Sequence, residues 1–156
     1  MKVRLIAVGD KLPRWADEAT LEFAGRLPRE WRFELVTVPV APRGKNADVA
    51  RLKKLEGEQL LKTAGDAARI IALDERGESL STADWAAAAA GWQRDGAYVA
   101  MLIGGPDGLS APCLSRAERR WSLSKLTLPH ALARVLVVEQ LYRAWSLLSG
   151  HPYHRA

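Results

Sequence analysis

Cysteine is nearly absent, since Cys113 is the only one in the chain. A lone thiol excludes an internal disulfide and suits a reducing cytosol, so a cytoplasmic protein is expected. Its neighbours are small and apolar, which predicts a packed thiol rather than a reactive one. Histidine is scarce too, at three residues. These histidines and Cys113 show no metal-ligand spacing, so no metal is expected. Long apolar runs are missing. The opening stretch, residues 3–8, is too short for a membrane span or a secretory leader. There is no low-complexity segment and no internal repeat.

What is there is a globular balance. Hydrophobic residues make up 48% and charged residues 26% of 156, a length that suggests one domain spanning 1–156. A chain of this size buries roughly 70% of its unfolded surface. There are 23 Lys and Arg against 18 Asp and Glu, a formal charge of +5. That excess favours a polyanionic partner without proving one.

Strand-like and helix-like stretches alternate. Residues 3–8 read as a buried strand stopped by Gly9. Trp15, Ala19, Phe23 and Leu27 recur at helical spacing after Pro13. Residues 33–38 are β-rich, and a loop with Arg43 and Lys45 leads to a helix over 47–64. Residues 69–74 form a third strand, with 75–77 as its turn. Ser81 and Asp84 open another helix in the manner of a capping box. Residues 98–103 are continuously apolar, a strand buried on both faces. Ser110 caps a short helix, Trp121 begins a short strand, and the last helix runs over 131–148. The alternation predicts an α/β fold, a sheet covered by helices on both faces.

The last helix carries Glu139, Gln140, Arg143 and Ser146 on one polar face, and most of its remaining circumference is apolar. One sheet contact covers only part of a helix, so a second burial surface is expected, most simply a partner subunit. Arg134 breaks the apolar side and must be paired or at a site.

Two loops stand out. Residues 104–108, Gly-Gly-Pro-Asp-Gly, follow the apolar strand and allow close backbone approach. Residues 124–129, Ser-Lys-Leu-Thr-Leu-Pro, precede the last helix. Two such loops at neighbouring strand ends would wall a small-molecule crevice. A tight turn after a buried strand is the plain alternative for the first. Neither a phosphate-binding nor a dinucleotide glycine pattern is present.

Residues 102–110, 123–130 and the closing His151-Pro152-Tyr153-His154-Arg155 together resemble the bacterial ribosomal RNA large-subunit methyltransferase H family, a member of the SPOUT class of knotted methyltransferases. The likeness spans the whole chain, including residues 43–48. It implies a mostly parallel sheet with a C-terminal trefoil knot, the last helix threaded through the loop after the fourth strand, with about 69–156 as the knotted part. It implies S-adenosylmethionine as methyl donor, a homodimer, and methylation at N3 of a pseudouridine in 23S ribosomal RNA on the assembled 70S ribosome. The family's donor pocket corresponds here to Leu73, Gly104, Leu123, Ser124, Lys125, Leu126, Thr127 and Leu128. The leucines suit an apolar adenine slot, and bare glycines let a bent cofactor lie on the main chain.

The acceptor N3 must lose a proton. A base or an anion-stabilising cation lowers that barrier. Candidates are Tyr153, His154 and Arg155 in the tail, with Arg143 on the last helix; Pro152 stiffens the segment and Tyr153 offers a stacking face. A frayed, inert tail is the alternative. His130 reads as a cap or orienter. Arg43, Lys45, Arg51 and Lys54 either hold RNA phosphates or form a solvated basic face. Two other functions stay open: ribose 2′-O-methylation, and a non-enzymatic ribosome-binding factor.

Overall fold

The computed structural model describes residues 1–66 and 68–155. Five strands, β1 (Lys2–Val8), β2 (Glu34–Val38), β3 (Arg69–Ser79), β4 (Tyr98–Ile103) and β5 (Arg119–Ser122), form one sheet in the order β2-β1-β4-β3-β5. Every pairing is parallel. Helices α1 (Arg14–Arg26), α2 (Val49–Ala64), α3 (Thr82–Asp95), α4 (Ala111–Arg116) and α5 (His130–Ser149) connect or follow the strands, with 3₁₀ turns at Arg29–Trp31 and Pro152–Arg155.

Side-chain alternation along the strands divides the interior into two cores. Val3, Leu5, Ala7, Val99, Met101 and Ile103 point to one face, where they meet Trp85, Trp92, Val137, Val138 and Leu141. Ile6, Val8, Ala100 and Leu102 point to the other, where they meet Leu60, Ala64, Leu109 and Cys113. Thus α1, α3 and α5 cover one side, and α2 and α4 the other. This is the two-sided covering expected for an all-parallel sheet. Cys113 is buried, with desolvation raising its pKa, as a packed thiol requires.

Local chemistry sets the element ends. Asp48 caps α2 by accepting from the Arg51 N–H, which places an acidic side chain at a helix start whose first turn carries the basic Arg51. Ser81 and Asp84 form the full reciprocal capping box of α3. Gly150, in the left-handed region at φ 73°, ends α5.

The expected turn at 75–77 is instead strand. β3 pairs with β5 up to Leu73↔Trp121, breaks register, and pairs again at Glu78↔Trp121 and Ser79↔Ser122. Gly77 permits this second approach. A Cβ there would lie 2.6 Å from the Arg120 carbonyl carbon and oxygen. Sequence-local turn signals in Glu-Arg-Gly are overridden by this tertiary pairing.

Candidate donor crevice and tail cluster

β4 and β5 both end at the level of Leu73, which lies partway along β3 between them. Leu73 stands opposite Ile103 on β4 and opposite Trp121 on β5. The Gly104 loop leaves β4 there, and the 123–129 loop leaves β5. The sequence-assigned donor residues Leu73, Gly104 and Leu123 to Leu128 are therefore brought to one place by the register. Leu73, Leu123, Ser124 and Leu128 are half-buried, while Lys125, Leu126 and Thr127 are exposed. Leu126 is 73% exposed, an apolar side chain held outside any core. The loop is shaped internally. Ser124 Oγ accepts from the Leu126 N–H at 2.9 Å, and Ser122 Oγ donates to the Ser124 carbonyl at 2.9 Å. Half-buried leucines beside bare backbone fit an adenosyl group, with an apolar slot for the ring and loop amides for its edge.

The glycines have a second reason to be there. A Cβ on Gly104 would lie 2.5 Å from the Gly108 carbonyl carbon, and one on Gly105 would lie 2.9 Å from Glu56 Oε1. Gly104 is demanded by the loop's own packing and Gly105 by Glu56 and Val8 beneath it, with Gly108 at φ 83° closing the turn. An open hollow of about 520 Å³ lined by Arg76, Glu118, Arg119 and Arg120 lies along β5 and shares no residue with these loops.

Arg43 is placed otherwise than a free phosphate contact. Its guanidinium donates to both oxygens of Glu56, at 2.9 and 3.2 Å, and to Asp107 Oδ2 at 2.7 Å. The bonds to Glu56, then those to Asp107, raise its pKa further. Asp107 belongs to the Gly104 loop, so Arg43 ties the 41–48 segment to that loop. Lys45, Arg51 and Lys54 are exposed.

The tail is built at the far end of α5. Beyond Gly150, the His151 N–H reaches back to the Ser146 carbonyl at 2.9 Å. The chain then folds onto its own helix. The Tyr153 ring sits 4.6 Å from Tyr142 and 6.3 Å from Phe23, centroid to centroid. Arg143 lies over the Tyr153 ring at 4.8 Å. Arg143 and Tyr153 also share Glu139, which accepts from Arg143 Nη2 at 2.7 Å and from the Tyr153 hydroxyl at 3.0 Å. Burial, then the Glu139 carboxylate, raises the Tyr153 pKa, so its hydroxyl stays protonated at neutral pH. The tail is thus a packed element and not a frayed end. His154 is half-buried and bonded to the His151 carbonyl, and Arg155 is exposed.

Sequence reading left Glu139 without a role. Its signal was the four-residue spacing to Arg143, which stacks the two on one helix face. His130 and Arg134 also come into contact. Arg134 Nη2 lies 2.8 Å from His130 Nε2, and His130 Nδ1 lies 3.1 Å from the Gly104 carbonyl.

The whole of residues 1–154 matches the family model described as "Predicted SPOUT methyltransferase". The chain belongs to the SPOUT methyltransferases. A relative from Alkalilimnicola ehrlichii named "Ribosomal RNA large subunit methyltransferase H" is 54% identical over 156 residues, covering all of both chains. One of the same name from Pseudomonas putida is 50% identical over 99% of this chain and all of its own. Among solved structures, a probable methyltransferase from Bordetella pertussis superposes with a TM-score of 0.59 at 20% identity, covering 91% of this chain and 93% of that one. A probable methylase family protein from Haemophilus influenzae gives 0.58 at 15%, over 97% and 69%. These two likenesses bear on the fold of the SPOUT methyltransferase. Among its described residues no group of three or more His, Cys, Asp or Glu could hold a metal, and no helix is long and apolar enough to cross a membrane.

Proposed function

We propose that this SPOUT methyltransferase transfers a methyl group from S-adenosylmethionine to N3 of a pseudouridine in 23S ribosomal RNA, acting in the cytoplasm on the assembled 70S ribosome. Full-length identity of about half to relatives named for the large ribosomal subunit supports the RNA. The observation that carries the donor site is the meeting of Leu73, Gly104 and the 123–128 loop where β4 and β5 end beside the middle of β3. Bound there, S-adenosylmethionine supplies an electrophilic methyl on a sulfonium. Leu73, Leu123, Leu126 and Leu128 would line the adenine slot, and Ser124, Lys125 and Thr127 would offer polar contacts.

The tail handles the acceptor. Tyr153 stacks on the base, Arg143 or Arg155 stabilises the imide anion as the N3 proton leaves, and His154 is the candidate base. Geometry adds a constraint. α5 rises roughly 14 Å at 1.5 Å per residue between His130, against the Gly104 loop, and Glu139, where the folded-back Tyr153 hydroxyl bonds. The ring and hydroxyl of Tyr153 pack on Phe23, Glu139 and Tyr142 rather than on the crevice loops of their own subunit. The tail serves the crevice of a second copy, so the active enzyme is a homodimer with composite sites. The outer stripe of α5, with half-buried Leu132, Val135 and Leu136, supplies the dimer surface. Lys45, Arg51 and Lys54 contact RNA phosphates, with Arg43 shaping the segment that bears them. The domain is single, and α5 threads the loop after β4 into a trefoil knot over about 69–156.

The test is transfer of labelled methyl from S-adenosylmethionine to 70S ribosomes lacking the modification, followed by nucleoside mass analysis. N3-methylpseudouridine in 23S RNA is expected. A ribose-methylated product, or no incorporation despite donor binding, overturns the reading.

A further inference from the structure

We propose that His130 and Arg134 are positioning residues for the methyl donor: together they strut the Gly104 carbonyl against the end of β1, and only a neutral His130 of one tautomer completes the strut. The inference rests on the donor reading above and adds a pH-sensitive control of donor affinity to it.

The hydrogen-bond chemistry fixes the state of each atom. His130 Nδ1 faces the Gly104 carbonyl, an acceptor only, so Nδ1 carries the hydrogen. Nε2 faces Arg134 Nη2, a donor only, so Nε2 is bare. The same Nη2 donates to the Gly9 carbonyl at 2.7 Å. One continuous line of bonds therefore runs from Gly9, the first residue after β1, through Arg134 and His130, to Gly104, the first residue after β4. Because the peptide is planar and trans, holding the Gly104 carbonyl also fixes the direction of the Gly105 N–H. That loop backbone is what the adenosyl group lies against.

The strut is costly, which argues against mere packing. Arg134 is 2% exposed, makes no ion pair among the described residues, and leaves Nε buried without a partner. A buried guanidinium without a carboxylate is unfavourable. The charged group acting on it from a neighbouring element is Asp17 on α1, beyond ion-pair reach. Just beyond β1 and β4 it meets carbonyls, that of Gly9 directly and that of Gly104 through His130. Adding a proton at Nε2 sets N–H against N–H beside a permanent cation. Burial first, and then Arg134, accordingly lowers the His130 pKa.

The test is calorimetric titration of S-adenosylhomocysteine across about pH 5 to 8, with near-ultraviolet dichroism showing the fold intact at each point. Wild type should bind evenly above its His130 pKa and weaken below it by up to about tenfold per pH unit. His130→Asn keeps an amide donor for the Gly104 carbonyl and does not titrate, so its affinity should be flat over the same range. Arg134→Met should lose roughly tenfold at neutral pH, the scale of one charge-assisted hydrogen bond. If Arg134→Met fails to fold, the comparison of wild type with His130→Asn still decides. A wild-type affinity without pH dependence, or His130→Asn keeping the wild-type slope, overturns the strut. Wild type binding no S-adenosylhomocysteine at any pH overturns the donor reading itself, and the strut's purpose with it.

Discussion

Arg43 and Glu56 form a forked pair across the base of the Gly104 loop, Nη1 on Oε2 at 2.9 Å and Nη2 on Oε1 at 3.2 Å. Glu56 is 2% exposed and also accepts from the Ala41 N–H at 3.0 Å. Arg43 neutralises a carboxylate that could not otherwise be buried. Arg43→Ala strands that charge, and breaking a buried pair typically costs about 3 kcal/mol or more. Thermal unfolding should shift by several degrees. Arg43→Ala, Glu56→Gln together should recover much of the loss, since the uncompensated charge is gone. An Arg43→Ala protein as stable as wild type would show that Glu56 finds another partner.

The glycines of the donor loop should not behave as simple gatekeepers. A valine at Gly104 meets the Gly108 backbone before it meets any ligand. Gly104→Val should therefore lower the melting temperature as well as donor affinity. Lys125→Ala, on the exposed part of the second loop, should leave stability within about half a kcal/mol. Calorimetric melting of both variants separates the effects.

Deleting residues 153–156 should leave donor affinity nearly unchanged and reduce methyl transfer steeply. Loss of a general base alone typically removes about a hundred- to ten-thousand-fold. Tyr153→Phe keeps the ring on Tyr142 and loses the hydroxyl's interactions with Glu139 and Arg143, so it should retain more activity than Tyr153→Ala. Mixing tail-deleted subunits with Gly104→Val subunits should restore activity in hybrids, where one composite site is intact. Single-turnover assays on 70S ribosomes check each point, and full activity in the tail-deleted enzyme would remove the tail from the chemistry.

Sedimentation equilibrium should give a dimer at micromolar concentration. Leu136→Glu, on the half-buried outer stripe of α5, should shift it toward monomer and abolish transfer while donor binding persists. A wild-type monomer that is active on ribosomes would exclude composite sites.

The layered architecture was legible because helix periodicity and apolar strands report burial directly. The capping box of Ser81 and the buried Arg134 were read from local pattern alone. The strand order was not, because β4 enters between β1 and β3 through contacts that no local window contains. The strand over 75–79 was missed for the same reason: its pairing with β5 depends on a partner more than forty residues away. At the site, Leu73 and the two loops came from motif resemblance, and the sheet register explains why they coincide. Arg43 illustrates the opposite limit. A basic residue in a basic loop looks solvated until the carboxylate that captures it, thirteen residues on, is seen to face inward.

The sheet order also dictates when this protein can fold during synthesis. Val3, Leu5 and Ala7 of β1 share their core with Val137, Val138 and Leu141 of α5. At translation rates of about 5–20 residues per second, roughly 7–27 s separate the appearance of those two halves. Through that interval one face of the growing sheet has no α5 to cover it, and the nascent chain is apolar surface in need of shelter. Unlike a bundle that closes helix by helix, this chain defers its main hydrophobic reward to its last helix. The crevice, whose second wall leads into that helix, is assembled at the same late moment as the fold itself.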